Sequence, residues 1–302
     1  MRSDNFKGYF FALVATIAFS NVYIFSKSAL NEIHLSQFGV YWFSISTILS
    51  LGYAAWNKKL SQVKRLTNRQ VRILITLGFL EIFTTTSFFL SISIIPDPAV
   101  TSFLGNLFPV MLALGGVFVL GEKFGPVETA GAFLALAGAF VISYSGNTSL
   151  ENFFIPGTGI VVLNAFFATT ASLVVKVHVK KMSPELLILN RSAWLLIFSF
   201  IMIFVYGKSF VIPVSALKNI AVGAALGPFL AVLTIYYSFS YIAASRSSVV
   251  QSLKGIFVLL GAYLVFGTFP LPHQFIGGLI TVAGVLVMTL AQAGVIRWKS
   301  HR

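Results

Sequence analysis

The 302-residue chain has no cysteine, which excludes disulfides and thiolate metal sites. It has only 8 Asp and Glu residues, and charge of either sign is scarce. Asp, Glu, Lys and Arg make up 10% of the chain, against about 25% in a soluble globular domain. A chain this short of charge is not a soluble enzyme. Despite 21 Lys and Arg residues it is not a nucleic-acid binder either. His34, His178, His273 and His301 fall in or near connections without ligand spacing, so no metal site is expected. Gly157-Thr158-Gly159 opens a helical stretch but lacks the Lys-Ser/Thr that grips phosphate, so neither ATP drive within this chain nor any cofactor is expected. What is abundant is apolar: 57% hydrophobic residues, 31 of them Phe, and a mean hydropathy of +0.89. This is the composition of an integral membrane protein.

A helix needs about 20 mostly apolar residues to cross a bilayer. Ten stretches qualify, over 8–29, 37–56, 73–95, 99–120, 127–146, 157–176, 184–206, 216–241, 247–266 and 274–294. The first is too long for a signal peptide and no cleavage site follows it. The fold expected is all-α, a polytopic membrane protein of ten transmembrane helices. Lys and Arg mark the cytoplasmic side of such a chain. A cytoplasmic N-terminus puts Arg2, Lys7, Lys58, Lys59, Lys64, Arg65, Arg69, Arg72, Lys123, Lys176, Lys180, Lys181, Arg246, Arg297, Lys299 and Arg302 inside, and only Lys27, Lys208 and Lys218 outside. Both termini are therefore expected in the cytoplasm, with the chain in the inner or plasma membrane. Lys27 and Lys176, at the ends of spans 1 and 6, are expected to snorkel to lipid headgroups.

An internal repeat underlies the layout. At an offset of 146 residues, positions 101–142 pair with 247–288 without a gap and give 11 identities in 42. They include Gly115/Gly261, Gly121/Gly267, Pro126/Pro272, Gly131/Gly277 and Gly138/Gly284. The halves are 1–146 and 147–302. Five spans in each is an odd number, so the second copy crosses the membrane in the opposite sense, and inverted repeats of this kind typify secondary transporters. The glycines of spans 5 and 10 imply close packing between the halves or between protomers, which leaves a monomer or a homodimer open.

Gly121-Glu122-Lys123-Phe124, then Gly131 and Ala137-Gly138, resemble the end of the first half in EamA-type members of the drug/metabolite transporter superfamily. Ser247-Ser248-Val249-Val250, Phe266-Gly267, Gln274, Gly277 and Ala283-Gly284 resemble the end of the second half, although Thr268 stands where the family usually has Glu. The resemblance spans nearly the whole chain. It implies a carrier that exports amino acids and other metabolites, or one that carries nucleotide sugars and sugar phosphates. Ser248 to Phe257 also resembles the ninth span of plastid phosphate translocators, which place a Lys near Lys254. Their matching fourth-span cation falls near Gly105, which is uncharged, so a carboxylate suits Lys254 better than a phosphate.

An ionisable group at membrane depth costs about 2.5–3.5 kcal/mol on the mildest scale. Three lie away from the span ends: Glu81 in span 3, Arg191 in span 7 and Lys254 in span 9. All sit about 10–12 Å inside the cytoplasmic edge at 1.5 Å per residue, which implies mutual contact. Either Glu81 neutralises Arg191 or Lys254 as a structural ion pair, or Lys254 meets a substrate anion while Glu81 couples transport to protons. For Arg191 a packing or interface role is favoured. Gln251 shares a face with Lys254, and Ser20, Asn21, Asn106, Asn164 and Tyr237 are the other residues expected to line a central cavity. Gly227-Pro228 and Phe108-Pro109 are expected to kink spans 8 and 4.

The expected protein is not an enzyme but a secondary transporter of small organic metabolites by alternating access, foremost an exporter of amino acids and related compounds. Its expected partners are a carboxylate-bearing small molecule, membrane lipid and protons, with no nucleic acid. A sugar-phosphate or nucleotide-sugar exchanger is the alternative and requires Arg191 as a second cation. A membrane scaffold or membrane-embedded enzyme is a third.

Overall fold

A computed structural model describes residues 2–121, 125–147, 154–178, 181–242, 247, 250, 251, 253–292, 295 and 296, with side chains from Phe6 onward. Lys123, Lys180, Arg246, Arg297, Lys299 and Arg302 of the cytoplasmic set lie outside the described residues, as do Glu122, Phe124, Ser248 and Val249 of the family-like motifs. Among the described residues the chain is all-helical, with one isolated bridge between Tyr144 and Phe154. The helices are α1 (Arg2–Leu30), α2 (Leu35–Trp56), α3 (Asn68–Ile94), α4 (Pro98–Leu104), α5 (Leu107–Leu120), α6 (Pro126–Ser143), α7 (Thr158–His178), α8 (Pro184–Val205), α9 (Val214–Ala224), α10 (Val232–Tyr241), α11 (Lys254–Phe266) and α12 (Pro272–Gln292).

Among the described residues, nine helices are long and apolar enough to cross a membrane, with α4–α5 counting as one and α9–α10 as another. The span expected over 247–266 is described mainly as α11, a shorter apolar helix of 13 residues. Large side chains such as Phe118, Phe133 and Leu264 stand exposed on the outside of the bundle, where lipid replaces water. The chain is an integral membrane protein.

Local chemistry sets the helix ends. α3 starts five residues before its apolar stretch because Thr67 and Gln70 form a reciprocal capping box that nucleates it in the connection. Pro126 and Pro272 occupy first-turn positions of α6 and α12, where the missing N–H is not needed. Gly121 and Gly267 end α5 and α11 in the left-handed region, at φ 66° and 65°.

Two expected kinks take specific forms. Pro109 cannot tolerate the carbonyl four residues back. The helix is therefore interrupted at Gly105-Asn106, where the Asn106 and Phe108 N–H groups donate to Phe103 and Gly105, three residues back. Leu253 and Ile256 repeat this three-residue pattern in the second half. Pro228 instead sits in a π-helical segment, Ala225–Ala231, which joins α9 to α10 and inserts extra residues into the turn.

α6 and α12 meet at backbone contact. A methyl group on Gly284 would lie 2.3 Å from the Ala135 nitrogen, and one on Gly138 would lie 2.5 Å from the Thr281 nitrogen. The contact is reciprocal: Gly131 faces Gly284, and Gly138 faces Gly277. On the opposite side of the bundle, α2 meets α8 through Ser46 and Ser192, whose hydroxyls are 2.7 Å apart and whose positions differ by the repeat offset.

The seam sets a contrast. Gly284→Ala should cost about 1–3 kcal/mol because backbone must move. Gly52→Ala, in an open stretch of α2 with nothing within 4 Å, should instead be neutral or stabilise by about 0.5–1 kcal/mol. Thermal unfolding of both variants in detergent measures the difference.

Candidate functional site

Between α1, α2, α3, α7, α8 and α10 lies a cavity of about 180 Å³, reached also by the Gly105 break and by residues 251 and 254. The walls are mainly aromatic. Phe19, Tyr23, Trp42, Phe43, Phe88, Phe89, Phe108, Tyr236 and Phe239 all contribute. Phe89 organises one side, with the rings of Phe38, Phe88, Trp42 and Phe43 centred 4.8–6.4 Å from its own. A second pocket between α2, α3 and α8 shares Phe43, Thr85 and Phe89 with this cavity.

The intramembrane charges gather here. Arg191 Nε donates to Glu81 Oε2 at 2.8 Å, and Nη2 donates to Thr85 Oγ1 at 2.9 Å. Tyr236 donates its hydroxyl to Glu81 Oε1 at 3.4 Å. Arg191 Nη1 is buried with no hydrogen-bond partner, as are Trp42 Nε1 and Thr84 Oγ1 on the same cavity wall. Lys254 is different. Its ammonium sits 5.2 Å from the centre of the Tyr23 ring, and among the described residues no carboxylate pairs with it. With Glu81 and Arg191 compensating each other, the cavity carries one uncompensated positive charge.

Of the residues expected at the site, Lys254, Gln251, Glu81, Arg191 and Asn164 line this cavity. Asn164 Nδ2 also donates to the Thr84 carbonyl at 2.7 Å and ties α7 to α3. The other four lie behind its surface. Asn106 is buried at the break next to Gly105, with its Nδ2 unpartnered. Ser20 Oγ donates to Thr16 and, at 3.4 Å, to the Lys254 carbonyl. Asn21 bonds back to Ile17 on its own helix. Tyr237 turns aside, stacking on Phe11 and donating to Glu185 Oε1 at 2.5 Å. Its neighbour Tyr236 faces the cavity in its place, because the π-helical segment rotates everything that follows it. The aromatic walls were not singled out in the sequence. Phe, Tyr and Trp are 15% of the chain, and the cavity-facing ones carry no local mark.

The two lysines expected to snorkel do not. Lys27 is 7% exposed and donates to the Ile92, Ser93 and Ile95 carbonyls at 2.9, 3.4 and 3.0 Å. Lys176 donates to the Phe239 and Ile242 carbonyls at 3.0 and 2.8 Å. Each finds a helix C-terminus, whose orphan carbonyls and negative dipole end suit an ammonium better than the longer reach to headgroups. Asp97, in the connection beyond α3, is pushed above the ordinary carboxylate range by burial, against the N–H groups of Ala99 and Val100 and the charge of Lys27.

An apolar helical bundle around a charged cavity is the arrangement of a membrane transporter of small molecules. The model of the EamA-like transporter family matches residues 6–144 and again 155–290, and the chain belongs to that family. No curated protein sequence matches the chain. Among solved structures, 29 chains match. One of them, described only as a crystal structure of a protein, is 18% identical with a TM-score of 0.66, over 92% of this chain and 98% of that one, a likeness of fold.

The ion pair can be tested directly. Arg191→Ala strands Glu81 and should cost about 3–5 kcal/mol of stability. The double variant Arg191→Gln/Glu81→Gln should cost clearly less than the two single Gln variants together. A double-mutant cycle on detergent-solubilised protein reads the coupling.

Proposed function

We propose that this protein is a secondary transporter that exports amino acids and related carboxylate-bearing metabolites by alternating access. The observation that carries the reading is Lys254: a cation in the wall of a central aromatic cavity with no carboxylate beside it among the described residues. An intramembrane charge without a protein partner is costly, and a substrate anion relieves that cost only while bound. The aromatic walls suit an apolar body, so the favoured substrate is an amphipathic molecule with one carboxylate at Lys254. Glu81 already has Arg191 and Tyr236 as partners, which favours the ion-pair role over proton coupling.

Alternating access is commonly built from two repeats of inverted topology, and the proposed layout is ten spans in two five-span repeats. Several contacts support it. Positions 46 and 192, one repeat offset apart, touch each other, as residues on a two-fold axis would. The glycine seam is reciprocal, and the left-handed caps at Gly121 and Gly267 are one offset apart. The cation bias supports a cytoplasmic N-terminus and a cytoplasmic 57–67 connection.

A phosphate-carrying exchanger is the second reading, and the unpartnered Nη1 of Arg191 favours it. That reading needs Arg191 to serve both Glu81 and the substrate.

Lys254→Ala should lower binding and uptake of a carboxylate substrate about 10–100-fold, the worth of one charge-assisted hydrogen bond, while Lys254→Arg retains part of it. Thermal shift of purified protein against amino acids, their decarboxylated amines and sugar phosphates, followed by vesicle flux, tests this. Equal stabilisation by an amino acid and its amine would refute the carboxylate site. Stabilisation by sugar phosphates alone would select the second reading.

A further inference from the structure

In each half, a lysine near the end of the first helix reaches the terminal carbonyls of the third. Lys27 ties α1 to α3, and Lys176 ties α7 to α10. The accepting carbonyls nearly match in register, Ile92 and Phe239 lying 147 residues apart, as do Ile95 and Ile242, while the two lysines lie 149 apart, three beyond the repeat offset. Among the described residues, no other side chain hydrogen-bonds across either pair of helices.

The two ties sit at opposite ends of the bundle. Gly157, before α7 begins, packs against Ile95 at the end of α3. Gln70, where α3 begins, donates to the Lys181 carbonyl just after α7 ends. α3 and α7 are therefore antiparallel, with Lys27 at one end and Lys176 at the other. The cavity lies between them. Tyr23 and Phe88, rings 5.1 Å apart, join α1 to α3 on the cavity side of Lys27. At the other end, Val175 and Phe239 line the cavity beside Lys176.

We propose that Lys27 and Lys176 are paired gate latches, each holding one end of the cavity shut, and that the transport cycle opens them in turn. The proposal rests on the alternating-access reading above. The chemistry suits a latch. The carbonyls that Lys27 and Lys176 bond carry no net charge to strand when an ammonium lets go, and Asp97, which also feels the Lys27 charge, keeps the Ala99 and Val100 N–H groups. The freed ammonium can then extend to the nearby headgroups. The Glu81–Arg191 pair, deeper in the bundle, has no such refuge and would strand a carboxylate if opened. A device of the same chemistry thus stands at both ends of the cavity, as suits a cycle with two gates.

The absence of native cysteine permits a direct test. A single Ser172→Cys in the cavity wall is probed with a membrane-impermeant maleimide from each face of sealed vesicles. Lys27→Met should raise labelling from the face where α1 ends, relative to the other face, by about tenfold, the worth of one lost charge-assisted bond. Lys176→Met should shift the ratio about as far the opposite way, and the double variant should return it to near the parent value. The corresponding Gln variants, which keep a polar group at each buried site, take the place of any Met variant that does not fold. If both single variants shift the ratio in the same direction, or lose thermal stability without shifting it, the ties are structural and the latch is wrong. Labelling from one face only, in the parent and in every lysine variant, would overturn alternating access itself and the latch with it.

Discussion

Hydrocarbon offers no partner to a charge, an N–H or a carbonyl, so every polar group inside the bundle must find one in the protein. The layout follows from that constraint. The break at Gly105-Asn106 is tolerated because it faces protein and a cavity rather than lipid. Glu81 is held by Arg191, Arg191 also by Thr85, and the two lysines by helix-end carbonyls. Several exceptions gather at the cavity: Arg191 Nη1, Trp42 Nε1 and Thr84 Oγ1 lack a hydrogen-bond partner, and Lys254 has an aromatic face in place of an anion. An incompletely answered charge is what gives the cavity its chemical character.

The repeat builds the frame, and divergence between its copies builds the site. Glycine caps, first-turn prolines and the α6–α12 seam recur in both halves. The charges do not. At the repeat offset, Lys254 stands against Phe108 and Arg191 against Ile45. A cavity at the interface of two similar halves thus becomes one-sided, with its cation contributed by the second half. The lysine ties match in chemistry rather than in offset, each capping the third span of its own half, consistent with a role in the frame's motion rather than in recognition.

Membrane class, span positions and the repeat were legible in the sequence, because apolar runs of span length and matched glycines are local, additive signals. The span boundaries shifted where local capping outweighed hydropathy, as Thr67 and Gln70 did for α3. Contact between Glu81 and Arg191 was also legible, since equal depth on separate helices leaves few arrangements, but Lys254 sits over Tyr23 instead of joining them. Which of the three would stand apart was not legible. Arg191 holds α8 to α3, as a packing role requires, and it also borders the cavity, which its place in the sequence does not mark.

The sequence by itself determined that this chain lives in a bilayer, that it is built twice over, and that three charges lie at depth. Those properties depend on counting and periodicity along one dimension. Only the tertiary structure decided that Tyr236 rather than Tyr237 meets the cavity, and that Lys27 and Lys176 cap helices instead of reaching lipid. Only it could leave Lys254 without a carboxylate beside it among the described residues. The reason is geometric. A π-helical segment turns a helix by an amount that hydropathy does not register, and a side chain's partner is set by which helix ends fall within its reach.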